Sequence, residues 1–195
     1  MSIPVSVRLP VPLRQAVVGA LAGVFAFGGL LALIQPAEGR TRIYDSRYSR
    51  FDYQTCPEAD SPEPGVIERH RCAGPGGIAV VWLAEPDSSE VSFGTSPDDE
   101  SLPLDVVFEA SDTIEWRIRT RAGESATIAA ILRYAHGPAT GRLAQSRLVV
   151  YRIEPTGRSC VIGSIDGGRT NANAEARQLA DRWAAGFVCG SSSRR

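Results

Sequence analysis

The chain has 195 residues and a formal net charge of −1, so it lacks the cationic excess by which proteins grip nucleic acid. All 21 of its basic residues are arginine. Without a lysine amine, a Schiff-base enzyme, a P-loop phosphate site and a Ser–Lys hydrolase dyad are excluded.

At the N-terminus Arg8 and Arg14 precede an uncharged apolar run from Ala16 to Ile34. A basic start, an apolar run and a small-residue exit describe a secretory signal over residues 1–39. Pro36 breaks the helix, and Ala37 and Gly39 then offer small residues for cleavage after Gly39, with Ala37 as the second choice. An uncleaved anchor is the competing reading, because spanning a bilayer takes about 20 apolar residues. Five glycines (19, 23, 28, 29 and 39) weaken the run as a permanent helix. Either way the remainder is expected outside the cytoplasm. It is periplasmic or secreted if cleavage occurs, and anchored in the inner membrane if it does not. No cysteine stands near the cleavage site, which argues against a lipoprotein.

The exported part has the size of one domain. Its first stretch, residues 40–65, reads as a spacer and Pro-rich loop. Tyr44, Tyr48, Phe51 and Tyr53 alternate there with Arg42, Arg47 and Arg50. Such a mixture can stack on bases or sugars, but acidic Asp45 and Asp52 dilute it. The favoured reading is a lead into a first strand, its aromatics packed and its arginines wet.

From Val66 the pattern has a period of two. In "TIEWRIRTR" (113–121) Ile114, Trp116 and Ile118 point one way, and Glu115, Arg117, Arg119 and Arg121 the other. That predicts an antiparallel strand with one solvated face. Further strands are expected at 66–72, 77–84, 90–95, 104–109, 127–135, 146–153 and 159–165. The segments "AGPGG", "EPDSS", "SPDDESLP", "EASD", "RAGE" and "EPTGR" supply the turns between them. About eight short strands predict a mainly β fold, an antiparallel sandwich or barrel. The period then changes. In "NANAEARQLADRWAAGFVCG" the residues Ala176, Leu179, Ala180, Trp183 and Phe187 form one apolar stripe, which predicts an amphipathic helix packed on the sheet. Asn171 or Asn173 can cap its start and Gly186 its exit. Arg177, Asp181 and Arg182 are expected to face water, and the tail 191–195 to fray.

Four cysteines in an exported chain read as a disulfide framework spanning a domain of residues 56–190. Three connectivities are possible; the simplest pairs neighbours, Cys56 with Cys72 and Cys160 with Cys189, and closing loops of those lengths stabilises by about 3 and 3.6 kcal/mol. A zinc site would call for close pairs such as Cys-x-x-Cys, which the chain lacks.

Candidate chemistry is sparse. "ERHRCAGPGG" (68–77) holds His70, Cys72 and a glycine cluster, but it matches neither a dinucleotide nor a phosphate loop. It reads as a turn beside a disulfide. His136 is expected at an exposed strand end. "GTSPD" (94–98) falls short of G-x-S-x-G, and no strand–turn–helix context supports a serine nucleophile. "DDE" (98–100) reads as a solvated turn rather than a calcium loop. In "DGGRTNAN" the residues Gly167, Gly168, Arg169, Thr170 and Asn171 lie at the start of the last helix, where free N–H groups can hold an anion. A strand-to-helix turn with an asparagine cap is the simpler reading.

The segments "CAGPGGIAVVW", "TIEWRIR", "ILRY" and "NANAEARQLADRWAAGFVCG" resemble a group of small secreted alphaproteobacterial proteins of unknown function. The resemblance spans roughly Cys56 to Cys189. It implies export and the fold, and it transfers no catalytic residue. The expectation is therefore a non-enzymatic envelope module without cofactor or metal. Its partner would be an unknown protein or envelope component, and it would touch the membrane only through an uncleaved N-terminal segment. The alternative is a periplasmic hydrolase using carboxylates such as Glu68, Glu109 or Asp166, since glycosidases place two carboxyls across a cleft.

Overall fold

In the computed structural model, which describes residues 43–98 and 101–195, nine strands precede one helix. The expected leader and cleavage site, and Asp99 with Glu100, lie outside the described residues. The strands are β1 (Tyr44–Arg50), β2 (Glu68–Ala73), β3 (Ala79–Ala84), β4 (Ser89–Phe93), β5 (Ser96–Pro97), β6 (Val107–Arg121), β7 (Glu124–Gly137), β8 (Gln145–Ile153) and β9 (Arg158–Asp166). The helix α1 covers Ala172–Trp183 and continues as a tight turn over Ala184–Gly186. A six-stranded sheet has the order β1-β6-β7-β8-β9-β5, and a three-stranded sheet the order β2-β3-β4. All neighbours are antiparallel except the short β5, which runs parallel to β9. No helix among the described residues is long and apolar enough to cross a membrane.

The two sheets face each other across one core. Val80, Trp82, Val91 and Phe93 from the small sheet meet Ile114, Trp116, Leu132, Tyr134, Val149 and Tyr151 from the large one. Phe93 lies edge-on to Trp116 at 5.5 Å and to Tyr151 at 5.0 Å, the arrangement that aromatic quadrupoles favour. Two buried hydroxyls pin the layers. Tyr134 and Tyr151 share a hydrogen bond of 2.8 Å, and the Val91 N–H donates to the Tyr134 oxygen at 3.1 Å. Burial pushes both phenols well above their ordinary pKa, because the ionised form would lose its water.

The opposite face of the large sheet carries the helix. Ala172, Ala176, Ala180 and Ala184 recur every fourth residue and are all buried, so the helix backbone sits close on Ile131, Leu148, Val150 and Ile162. A register shift in the β6–β7 pairing places both Ile128 and Ala129 on this side, as a bulge does. The sandwich thus has a third layer, and this corrects the expectation for residues 113–121. Glu115 and Arg117 on the polar face of β6 are buried rather than solvated, whereas Arg119 is half-buried and Arg121 stays exposed.

Other boundaries also move. Residues 104–109 and 113–121 were expected as separate strands, yet β6 runs through "EASD" with a register shift between Ala110 and Ile114. Ser111, Asp112 and Thr113 are absorbed as an irregularity because the flanking residues stay paired to β1 and β7. Within the expected spacer, Tyr44–Arg50 forms the edge strand β1 on β6. At the other margin the tail 191–195 docks instead of fraying. The Arg195 N–H donates to Ile162 O at 2.8 Å, and its guanidinium lies 4.1 Å from the Trp183 ring. Gly163 permits that approach, since a Cβ there would stand 2.3 Å from Arg195 O.

Both disulfides form as expected: Cys56–Cys72 with Cα atoms 5.2 Å apart, and Cys160–Cys189 at 5.6 Å. The first fastens the segment before β2 to the small sheet. The second ties the chain beyond α1 to β9. Two crosslinks of this kind point to an oxidising, extracytoplasmic compartment.

Candidate functional site

"ERHRCAGPGG" is a structural turn. His70 and Cys72 belong to β2, and Pro75–Gly77 form a tight turn into β3. The His70 Nδ1 meets Cys56 O at 2.9 Å, and its ring lies 5.7 Å from Trp82. With Cys72 oxidised, the histidine is a packing residue beside the crosslink rather than half of a metal pair.

His136 departs from expectation. It is 3% exposed and its Nδ1 stands 2.9 Å from Asp105 Oδ2. The hairpin pairing of β6 with β7 sets Phe108 opposite His136 and buries it. A histidine–aspartate contact is two-thirds of a hydrolase triad, but no serine or cysteine is hydrogen-bonded to this ring among the described residues. Asp105 therefore satisfies a buried ring.

At the start of α1, three of the five residues expected to hold an anion, Gly167, Gly168 and Arg169, have partners within the fold. The Gly167 N–H donates to Ser146 O at 2.8 Å, and the Gly168 N–H to Asp166 Oδ1 at 2.9 Å. Arg169 pairs with Glu175 at 2.8 Å. Thr170 and Asn171 are exposed, and Asn171 occupies the N-cap position without a side-chain cap bond. Arg133 instead bridges the turn, donating to Ser146 Oγ and to Asn173 Oδ1.

A second feature lay hidden in the alternation of β6. Arg117 sends Nε to Asp181 Oδ1 at 2.9 Å and Nη2 to Asp181 Oδ2 at 2.7 Å. Its Nη1 donates to Ser46 Oγ, which in turn donates to Glu115 Oε1. Arg177 approaches Glu115 at 3.5 Å. Asp181 and Arg177, expected to face water, thus reach back to charges on β6 that the helix covers. The network joins β1, β6 and α1, and its role is structural.

Asp98 lies near the Cys160 and Cys189 sulfurs, but these are bonded to each other and are no thiolate ligands. Asp98 is paired bidentately with Arg158, at 2.7 and 3.1 Å.

The surface with the most binding character lies along one seam between the sheets. Phe51, Tyr53 and Trp82 form a ladder of near-parallel rings, with centroids 5.9 and 5.7 Å apart and interplanar angles of 6° and 5°. The ladder exists because Phe51 and Tyr53 continue the chain after β1 while Trp82 projects from β3. Tyr53 donates to Ser111 O at 2.9 Å, and burial raises its phenol pKa. Above the ladder run two adjoining open cavities of about 640 and 360 Å³, which share Gln54, Trp82 and Ser89. Arg50, Asp52 and Asp112 wall the first, and Glu68, Glu85, Asp87 and Glu109 the second. Arg50 and Asp112 pair at 2.6 Å. Hydrogen bonds from Thr113 and then Arg50 hold the Asp112 carboxyl below its usual pKa.

Two of the three suspected catalytic carboxylates, Glu68 and Glu109, therefore share a groove, while Asp166 ends β9 elsewhere. A carboxylic acid kept protonated for catalysis needs an apolar, desolvated setting. Glu68 and Glu109 are both exposed. Trp82 was not singled out from the sequence, where it reads only as one apolar residue in "AVVWLA". The period-two spacing of Phe51 and Tyr53 is the signal that could have exposed the ladder.

Comparison with protein-family models, curated proteins and solved structures returned no match.

Proposed function

We propose that the chain is an exported, non-enzymatic β module of the cell envelope, periplasmic or secreted after removal of residues 1–39, which binds a protein or an envelope component. The carrying observation is the state of the sulfur. All four cysteines are closed into two crosslinks, in a chain that opens with a basic, then apolar, leader. The buried polar side chains support the same reading. Glu115, Arg117 and His136 are each engaged inside the fold, where they stabilise layers instead of facing a substrate. The resemblance to small secreted alphaproteobacterial proteins agrees with export.

The test is fractionation followed by thiol alkylation. The expected product begins at Arg40, is recovered outside the cytoplasm, and takes up alkylating reagent only after reduction. Recovery from the cytoplasm with four reactive thiols would reject the proposal. Retention of the whole chain in the inner membrane would select the anchored form. One observation, the groove shared by Glu68 and Glu109, favours the hydrolase alternative. That reading requires release of sugar from envelope polysaccharide by the purified protein and its loss in Glu68→Gln and Glu109→Gln.

A further inference from the structure

We infer that the groove over the Phe51–Tyr53–Trp82 ladder is the docking site of this module and that its occupant is a cationic, arginine- or lysine-rich polypeptide segment. The inference rests on the binding-module reading above. Two independent observations carry it.

The first is charge. Asp52, Glu68 and Glu109 are exposed carboxylates on the groove walls without a cationic partner among the described residues. Glu85 and Asp87 have only the hydroxyls of Ser88 and Thr140. Arg50 is the single basic residue lining either cavity, and Asp112 neutralises it. The walls thus carry a surplus of negative charge over a length that both sheets contribute to. Such a surface attracts and orients a cationic partner.

The second is Trp82. This side chain is 9% exposed and lines both cavities, and its indole N–H has no hydrogen-bond partner among the described residues. The nitrogen is not among the fully buried unpaired atoms of the described residues, so this donor is open to solvent. Trp116, by contrast, spends its donor inside the fold on Ser49 Oγ at 3.1 Å. A backbone carbonyl of an extended segment lying in the groove would replace water on the Trp82 donor. At the outer end of the ladder, half-buried Phe51 offers a ring to a guanidinium or ammonium group. The carboxylates select charge and the indole selects a carbonyl. Together they fit a basic polypeptide better than a free polyamine, which has no carbonyl.

The exported protein, purified with its disulfides intact, is titrated at low salt with fluorescein-labelled nona-arginine, nona-glutamate and spermine. Nona-arginine is expected to bind, nona-glutamate to fail, and spermine to bind more weakly. Asp52→Asn/Glu68→Gln/Glu109→Gln should weaken nona-arginine binding about tenfold at low salt, with less difference as salt rises. These carboxylates are exposed, so the melting temperature should hold. Trp82→Phe keeps an aromatic ring and removes the donor, and should weaken the peptide but not spermine. Equal affinity of wild type and triple variant, absence of binding, or spermine binding as tightly as the peptide would overturn the assignment. None of these results touches the envelope-module reading, which fails on its own tests: location, thiol state or enzymatic turnover.

Discussion

Arg117 and Asp181 meet as a two-point ion pair across the boundary between the large sheet and α1, with contacts of 2.9 and 2.7 Å. Arg117 comes from a strand whose alternation reads as half solvated, and Asp181 from the polar side of an amphipathic helix. Their side chains are 7% and 26% exposed. Removing one partner leaves a guanidinium in a poorly hydrated seam, which costs more than the pair contributes.

Asp181→Asn is therefore expected to destabilise the fold by about 2–4 kcal/mol, with the urea midpoint as the measurement. Asp112→Asn is the control. Its partner Arg50 is 81% exposed, and its midpoint should stay within the scatter of wild type because water screens such pairs.

The Cys160–Cys189 crosslink fastens the chain after α1 to β9, enclosing a separation of 29 residues. Cys160→Ser should cost about 2–5 kcal/mol. Because Arg195 docks on the same strand through Ile162, hydrogen exchange should rise at the tail and at the end of α1 before it rises in β7.

The β6–β7 hairpin turns through Ala122 and Gly123, with φ of 51° and 85°. Two positive φ values in a two-residue loop mark a turn that prefers Asn-Gly. Ala122→Asn should raise stability by about 0.5–1 kcal/mol, because alanine is disfavoured in the left-handed region. Thermal unfolding checks this, and an unchanged or lower midpoint would contradict the turn assignment.

Burial raises the phenol pKa of Tyr53, Tyr134 and Tyr151 above the ordinary value. In the unfolded chain these groups ionise near pH 10, whereas the fold keeps them protonated. Their contribution to stability is thus complete below about pH 10 and is lost as pH rises above it. An absorbance titration should show three of the five tyrosines ionising only with loss of near-ultraviolet dichroism. Ionisation of all five with the fold intact would disprove the burial.

Much of this architecture is legible from local pattern. Alternation at Ile114 and Trp116, the change of period at Ala176 and Ala180, and the turns at Gly123 and Gly157 all reflect short-range rules of strand, helix and loop. The disulfide pairing followed from chain proximity. Local rules failed where a distant element decides what is covered. Glu115 and Arg117 read as solvated because nothing in 113–121 announces that α1 lies over them. His136 read as exposed because Asp105 is 31 residues away. The tail read as frayed because its acceptor, Ile162, sits on another strand.

The sequence by itself determined the exclusion of lysine chemistry and the strand and helix periods, since each depends on residue type and near neighbours; it made the neighbour pairing of the cysteines the simplest of three. Only the tertiary structure decided which polar residues are buried and which aromatics line up. No sequence periodicity joins Trp82 to Phe51 and Tyr53, and the three meet because two sheets close over a common core. Burial is a property of what lies opposite a residue, and that is set by packing between layers.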